Sequence, residues 1–393
     1  MGTLWTLATI RQAALIEFGV MGHLHHSHTR LSRNGVVPHC KIFSTHIDES
    51  DISLGGTERL ADAIGNVVQQ VQPKVLFILP STIPEMIGTD LHAVCDELQN
   101  QYPETILLPM GAGGFQIDLY RGVQEALLLL AKVLPKDVQR TENITFNIIG
   151  SCADAFKFHA DSNEIVRIMD HAFSAQPQCI LTSNTSVDSI EQLGSAHINI
   201  VLRREGIPAA KQLQKRFGTP FIARAPYGFS GTSDWIAEIS AILNQTANGS
   251  FLAAEREEVQ QVIGRTRHLF SHYRDFATFS IGGHADVVEG IRKFACHELG
   301  LTQGLCWCDD PAMATDDIPY WSENQWSKEI TKDHRGILMA SGEVLAWAGH
   351  SSVMQIANPG QDWILNPYTP PLMGFRGALN LASLWINAAI PKL

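Results

Sequence analysis

KVLFILP, residues 74–80, is the stretch on which the reading of the fold turns. Seven residues, apolar after the opening lysine and closed by proline, are too short for a buried helix. They suit a strand covered on both faces, as in a parallel sheet. Residues 90–101 (DLHAVCDELQNQ) follow with helical spacing, and 105–109 (TILLP) is again a short apolar run. A buried strand, a helix and a second buried strand make a βα unit.

The same alternation continues along the chain. Strands are expected at 147–150, 178–182, 198–202, 220–223, 279–281, 336–340 and 350–355. Helices are expected at 120–134, 163–173, 207–217, 253–274, 286–299 and 377–390. With 393 residues, the chain exceeds one ordinary core. The charged stretch 136–142 and the end of the polar helix near 275 suggest boundaries. The expectation is an α/β chain of three Rossmann-like domains, residues 1–140, 141–275 and 276–393, each a parallel sheet flanked by helices. Strand ends at Pro80, Gly150 and Gly282 would set loops where such sheets bind ligands.

Composition narrows the function. Hydrophobic residues make up 45% of the chain and charged residues 18%, a balance that suits a large buried core. A net charge of −11 does not supply the basic surface that nucleic acid requires. The longest apolar runs, such as 126–134, fall short of the roughly 20 residues of a membrane span. No secretion signal is visible at the N-terminus. Seven scattered cysteines without a CxxC do not form a disulfide framework, and a reducing, cytoplasmic setting is expected. Cys306-Trp-Cys308 is the one close pair; a strand would point both thiols to one face, and it reads as core.

Chemistry concentrates in Gly19-Val-Met-Gly-His23-Leu-His25-His26-Ser-His28. Imidazoles at this density suit a metal, and His25 and His28 share a helical face. The alternative is a solvated or interface helix start whose histidines only hydrogen-bond. Gly111-Ala-Gly-Gly-Phe115 follows a strand but lacks the phosphate-loop spacing and its Lys-Ser/Thr ending, so no nucleotide of the chain's own is expected. Gly282-Gly-His284 before a helix is either an anion-receiving loop or a tight turn that needs positive φ. No hydrolase constellation is visible.

Several segments in order resemble the nitrogenase component 1 family, which includes the MoFe protein, its cofactor-assembly scaffold and dark-operative protochlorophyllide reductase. Residues 44–56 (STHIDESDISLGG) with Thr57-Glu-Arg-Leu60 are similar to one family segment, and 80–91 (PSTIPEMIGTDL) to the family's TTCxxEVIGDDL. Residues 113–134, 225–234 (APYGFSGTSD), 283–300 and 372–389 (LMGFRGALNLASLWINAA) are similar to later segments, the last to the closing helix of β-type subunits. The resemblance implies an α-type partner subunit and a separate ATP-dependent iron–sulfur reductase protein that supplies electrons. The first domain would carry the loops at the cluster position.

The family's thiolates are missing. His23 stands where one cysteine is expected. Ile42 stands at the second position, two residues from Cys40, and Thr82 or Ile83 at the third. The cofactor-ligating cysteine of the MoFe α-subunit would fall near Leu202. In related β-type subunits the β chain gives at most one ligand, which in protochlorophyllide reductase is an aspartate at the position of His23. The resemblance therefore implies His23 as the metal ligand to an interfacial 4Fe–4S cluster shared with the partner, with Cys40, Thr82 and Glu85 around it. Otherwise the cluster is absent and His23 packs against the partner. Cys95 is expected to be a core thiol. His284, Arg224 and His350 are expected, from loop position, to line a substrate cavity between the domains. The function implied is a subunit of a nitrogenase-like, ATP-driven reductase. The alternatives are a non-redox scaffold for cofactor assembly, or a metal- or tetrapyrrole-binding protein of the same fold.

Overall fold

The computed structural model describes residues 1–54, 56–111, 118–274, 277–332, 336–349, 352–360 and 369–389. The loop 112–115 and His350 lie outside the described residues.

Short apolar runs make the strands. The first four are β1 (Ala13–Phe18), β2 (Lys41–Ser44), β3 (Val75–Pro80) and β4 (Ile106–Pro109). A second set follows: β5 (Thr145–Ser151), β6 (Gln176–Thr182), β7 (Ile198–Val201) and β8 (Phe221–Ala223). The third set is β9 (Thr278–Gly283), β10 (Thr302–Cys308), β11 (Ile337–Ser341) and β12 (Val353–Ala357). Each set forms a four-stranded parallel sheet, ordered β2-β1-β3-β4, β6-β5-β7-β8 and β10-β9-β11-β12. The expected α/β fold of three parallel sheets flanked by helices is therefore observed. β1, β3 and β5 are buried at every residue, which is why β3 reads as a continuous apolar run rather than an alternating one.

In each sheet the chain leaves the first strand, builds outward, then crosses to that strand's other side. The change of direction opens a crevice at the carboxyl ends of the first and third strands. Helix Leu119–Val133 packs on helix Ile207–Phe217, joining the first and second sheets through one core that contains Leu127, Leu130, Ile149 and Leu213. The closing helix Gly374–Ala389 packs against Phe158–Phe173, Gly228–Leu243 and Gly249–His272. Its Trp385 stands edge-on to Phe279 of β9, so it also ties the second block to the third. Among the described residues no helix is long and apolar enough to cross a membrane.

Candidate functional site: a sheet edge and a central cavity

Two places gather the chemistry. The first is the carboxyl edge of the first sheet. Phe18 pairs with Pro80 at the ends of β1 and β3. Beyond them Gly19 lies so close to Ser81 that a Cβ on it would stand 2.0 Å from Ser81 Oγ, an approach only glycine allows. Gly19 N donates to Thr45 Oγ1 at 3.0 Å, which binds the segment after β2 to the same edge. From this junction the chain enters helix Met21–Arg33 on one side and helix Thr82–Met86 on the other. His23 stands in the first turn of one helix, and Thr82 and Glu85 stand in the other.

His23, His25, His26 and His28 are exposed. Thr82 is half-buried. Glu85 is half-buried as a residue, but both its carboxylate oxygens are buried and neither has a hydrogen-bond partner among the described residues. Ser81 Oγ beside it is in the same state. Met21, Met86 and Ile87 are exposed at this edge.

Cys40 is not brought to this edge. It precedes β2, at the amino end of the sheet, where its N–H donates to Ala8 O at 3.0 Å. Four residues of strand separate it from the carboxyl edge, about 13 Å at the usual rise. Burial pushes its thiol well above the ordinary range. Cys95 is buried too, with its thiol pushed up to about 12, as a core residue should be. Of the residues expected at the cluster position, the edge thus brings together one imidazole, His23, and one carboxylate, Glu85, with no thiolate among the described residues. That set does not hold a whole iron–sulfur cluster, but it fits a minority share of one whose other ligands come from elsewhere. Carboxylate oxygens left without a partner fit such a share, because buried acceptors without partners are costly.

The second place is a cavity of about 360 Å³ between the second and third sheets and the helices of the first block. Its wall takes Gly150 and Ser151 from the end of β5, Leu202 and Arg203 after β7, and His284 after β9. Gly150 has φ +96°, and a Cβ there would stand 2.7 Å from Arg203 Cγ, so the arginine lies flat against the strand end. The Arg203 guanidinium donates to Asp154 Oδ2 and to Glu205 Oε2, each at 2.7 Å, and all three residues are at least nine-tenths buried. Burial alone would raise the Glu205 carboxyl. Arg203 and a hydrogen bond from His284 outweigh it and hold that carboxyl well below the usual range.

His284 caps helix Ala285–Lys293, its Nδ1 accepting from Asp286 N. That leaves the ring proton on Nε2, which donates to Glu205 Oε1 at 2.9 Å. Its ring meets Tyr120 edge-on at 4.9 Å, and Tyr120 OH donates to Asp309 Oδ2 at 2.7 Å. Burial, then Asp309, push the Tyr120 phenol well above its ordinary range. Glu205, His284 and Asp286 offer ligand atoms within 4.8 Å of one another. Each is already engaged, however: Glu205 by Arg203, His284 at both nitrogens and Asp286 by Arg204 at 2.6 Å.

Of the residues expected from loop position, His284 lines this cavity. Arg224 lies in a separate groove with Arg204, Asp234 and Lys293, loosely paired to Asp234 at 3.6 Å. Arg203 and Glu205 belong to no motif that sequence reasoning looks for. A signal is nonetheless present: an Arg-Arg-Glu run directly after the apolar stretch 198–202 puts charge at a strand end.

Three parallel sheets and a cavity between their blocks define a multi-domain α/β protein whose site lies at the junction of its domains. The family model of nitrogenase component 1 type oxidoreductases matches residues 1–390, and the chain belongs to that family. Among curated relatives, the chain is 26% identical over 265 residues to the nitrogenase iron-molybdenum cofactor biosynthesis protein NifE of Clostridium pasteurianum, covering 66% of this chain and 56% of that protein. It is 26% identical over 216 residues to one subunit of the light-independent protochlorophyllide reductase of Cereibacter sphaeroides, covering 54% and 40%. The matches thus span about half the length of these relatives. The solved nitrogenase Cp1 at pH 6.5 shares the fold with a TM-score of 0.81 at 15% identity, over 99% of this chain and 91% of that one.

Proposed function

We propose that this chain is a β-type subunit of a nitrogenase-like, two-component, ATP-driven reductase. It would pair with an α-type subunit and receive electrons from a separate iron–sulfur reductase protein. The observation that carries the reading is the sheet edge, where His23, Met21, Met86 and Ile87 are exposed and both carboxylate oxygens of Glu85 are buried with no partner among the described residues. Apolar side chains exposed around a polar centre are the pattern of an interface whose other half is missing. Family membership supports a nitrogenase-like subunit or scaffold.

His23, with Glu85 and Thr82 beside it, would hold this chain's share of an interfacial 4Fe–4S cluster, and the partner would provide the remaining ligands. Such a cluster supplies single-electron transfer at low potential. The chain's own residues orient and shield: Ser81 and Gly19 fix the two helix starts, and Glu85 either ligates or orients the His23 ring through its free nitrogen. The central cavity would hold the substrate, with the Tyr120 and His284 rings forming part of its wall.

The test is co-expression with the candidate α-type subunit and measurement of complex formation. Met86→Asp with Ile87→Asp is expected to weaken the complex at least tenfold while the free chain stays folded. Unchanged affinity would place the partner elsewhere. The match to a cofactor biosynthesis protein favours one second reading, a non-redox scaffold that makes the same pair without iron.

A further inference from the structure

The cavity wall carries two buried acceptors that no described residue satisfies. Asp154 is 8% exposed; its Oδ2 is held by Arg203, while its Oδ1 is buried with no partner among the described residues. Asn358 follows β12 on the same wall, and its Nδ2 donates to Asp154 O at 3.3 Å. Its Oδ1 is likewise buried and without a partner. The two oxygens, one following β5 and one following β12, have the same unmet need, a hydrogen-bond donor.

Charge points the same way. Asp154 and Glu205 are two buried carboxylates that share one guanidinium. His284 does not add a positive charge, because its Nδ1 accepts a backbone N–H. Both arginines at the wall are already paired, Arg203 with these carboxylates and Arg30 with Glu343 at 2.7 Å. An anionic ligand would therefore meet no free guanidinium, whereas a cationic or N–H-bearing one would meet excess negative charge and two acceptors that no described residue engages. Trp5, Phe156, Phe158, Leu202 and Met373 give the wall a large apolar share, while Asp161, Asp309 and Asp310 add further carboxyl groups to it. The volume falls within the roughly 300–1,000 Å³ of small-molecule sites.

We propose that the central cavity binds a small, largely apolar molecule through a cationic or hydrogen-bond-donating nitrogen, anchored on Asp154 Oδ1 and Asn358 Oδ1. The inference deepens the reading of the cavity as the substrate site and rests on it. Apolar side chains hold the body of the ligand, and the two oxygens fix which end enters.

The experiment is calorimetric titration of the full chain, as purified, with benzamidinium and with benzoate, two aromatic probes of equal size and opposite charge. Benzamidinium is expected to bind at least tenfold more tightly than benzoate. Asn358→Leu and Asp154→Asn, each checked for folding by its melting temperature, are expected to weaken benzamidinium about tenfold or more. Benzoate binding as tightly as benzamidinium would overturn the proposal. So would no binding of either probe at millimolar concentration, which would mean that water alone meets the two acceptors. An unchanged benzamidinium affinity in Asn358→Leu would also overturn it. None of these outcomes depends on iron content or partner capture, so the inference can fail while the subunit reading stands.

Discussion

Replacing Arg203 by methionine isolates what the buried cluster contributes. The change keeps most of the side chain's bulk against Gly150 and leaves Asp154 and Glu205 without their shared cation. Both carboxylates are nearly fully buried, at 8% and 2% exposure, so neither can recover its loss from water. Removing one partner of a buried ion pair costs about 3–5 kcal/mol. With about 2–4 °C of melting temperature per kcal/mol for a unit of this size, the expected drop is about 6–20 °C. The assay is scanning calorimetry at neutral pH, following the transition that contains the second sheet. Arg203→Met combined with Asp154→Leu should recover part of the loss, because one stranded charge is gone and an apolar contact replaces it. A single substitution costing under about 1 kcal/mol, or a double variant worse than the sum of its parts, would refute the reasoning.

Asp161 makes a prediction about pH. Burial pushes its carboxyl up to about 7, although its Oδ1 accepts from Leu372 N at 2.6 Å and Met373 N at 3.0 Å. The folded state therefore holds the proton more tightly than the unfolded chain, whose carboxyl titrates near 4. The resulting stability is fully present below about pH 4 and is lost as pH rises towards 7, on the order of 4 kcal/mol in all. Asp161→Asn keeps the acceptor and should flatten the fall of melting temperature over that window; an unchanged slope would contradict the assignment. Cys40, Cys152 and Cys179 are buried with thiols pushed up, so brief alkylation of the native protein followed by mass spectrometry should leave them unlabelled, and label at Cys40 would refute its place in the core. Gly150→Ala must accept a positive φ and a 2.7 Å approach to Arg203 Cγ, and should cost about 1–3 kcal/mol in urea unfolding.

Much of the fold is legible because parallel sheets write themselves as short apolar runs. Residues 74–80, 178–182 and 198–202 fall on β3, β6 and β7, and 207–217 is the helix Ile207–Phe217. β1 and β10 are not legible in this way, for physical reasons. Glu17 interrupts the apolar run of β1; it is buried, with its carboxyl pushed up to about 7 by desolvation. β10 begins Thr-Gln-Gly and turns apolar only at its end, where Cys306 and Cys308 sit in the core as expected of a strand pair. The site is half legible. Strand ends at Gly150 and Gly282 point to the cavity, and His284 lines it. The pairing of Arg203 with Asp154, 49 residues apart in sequence, is set by the meeting of two strand ends and leaves no local pattern. Cys40 stands two residues from the position where the resemblance expects a cysteine, yet the direction of β2 carries it to the far end of the sheet.

The most direct measurement is an iron and acid-labile sulfide count on the complex purified anaerobically with its α-type partner, with and without His23→Ala. The subunit reading predicts about four irons per αβ pair and their loss, with partner binding retained, when His23 is replaced. A complex that binds its partner and carries no iron, or one whose iron is unchanged without His23, would contradict the claim that this chain holds a share of a cluster.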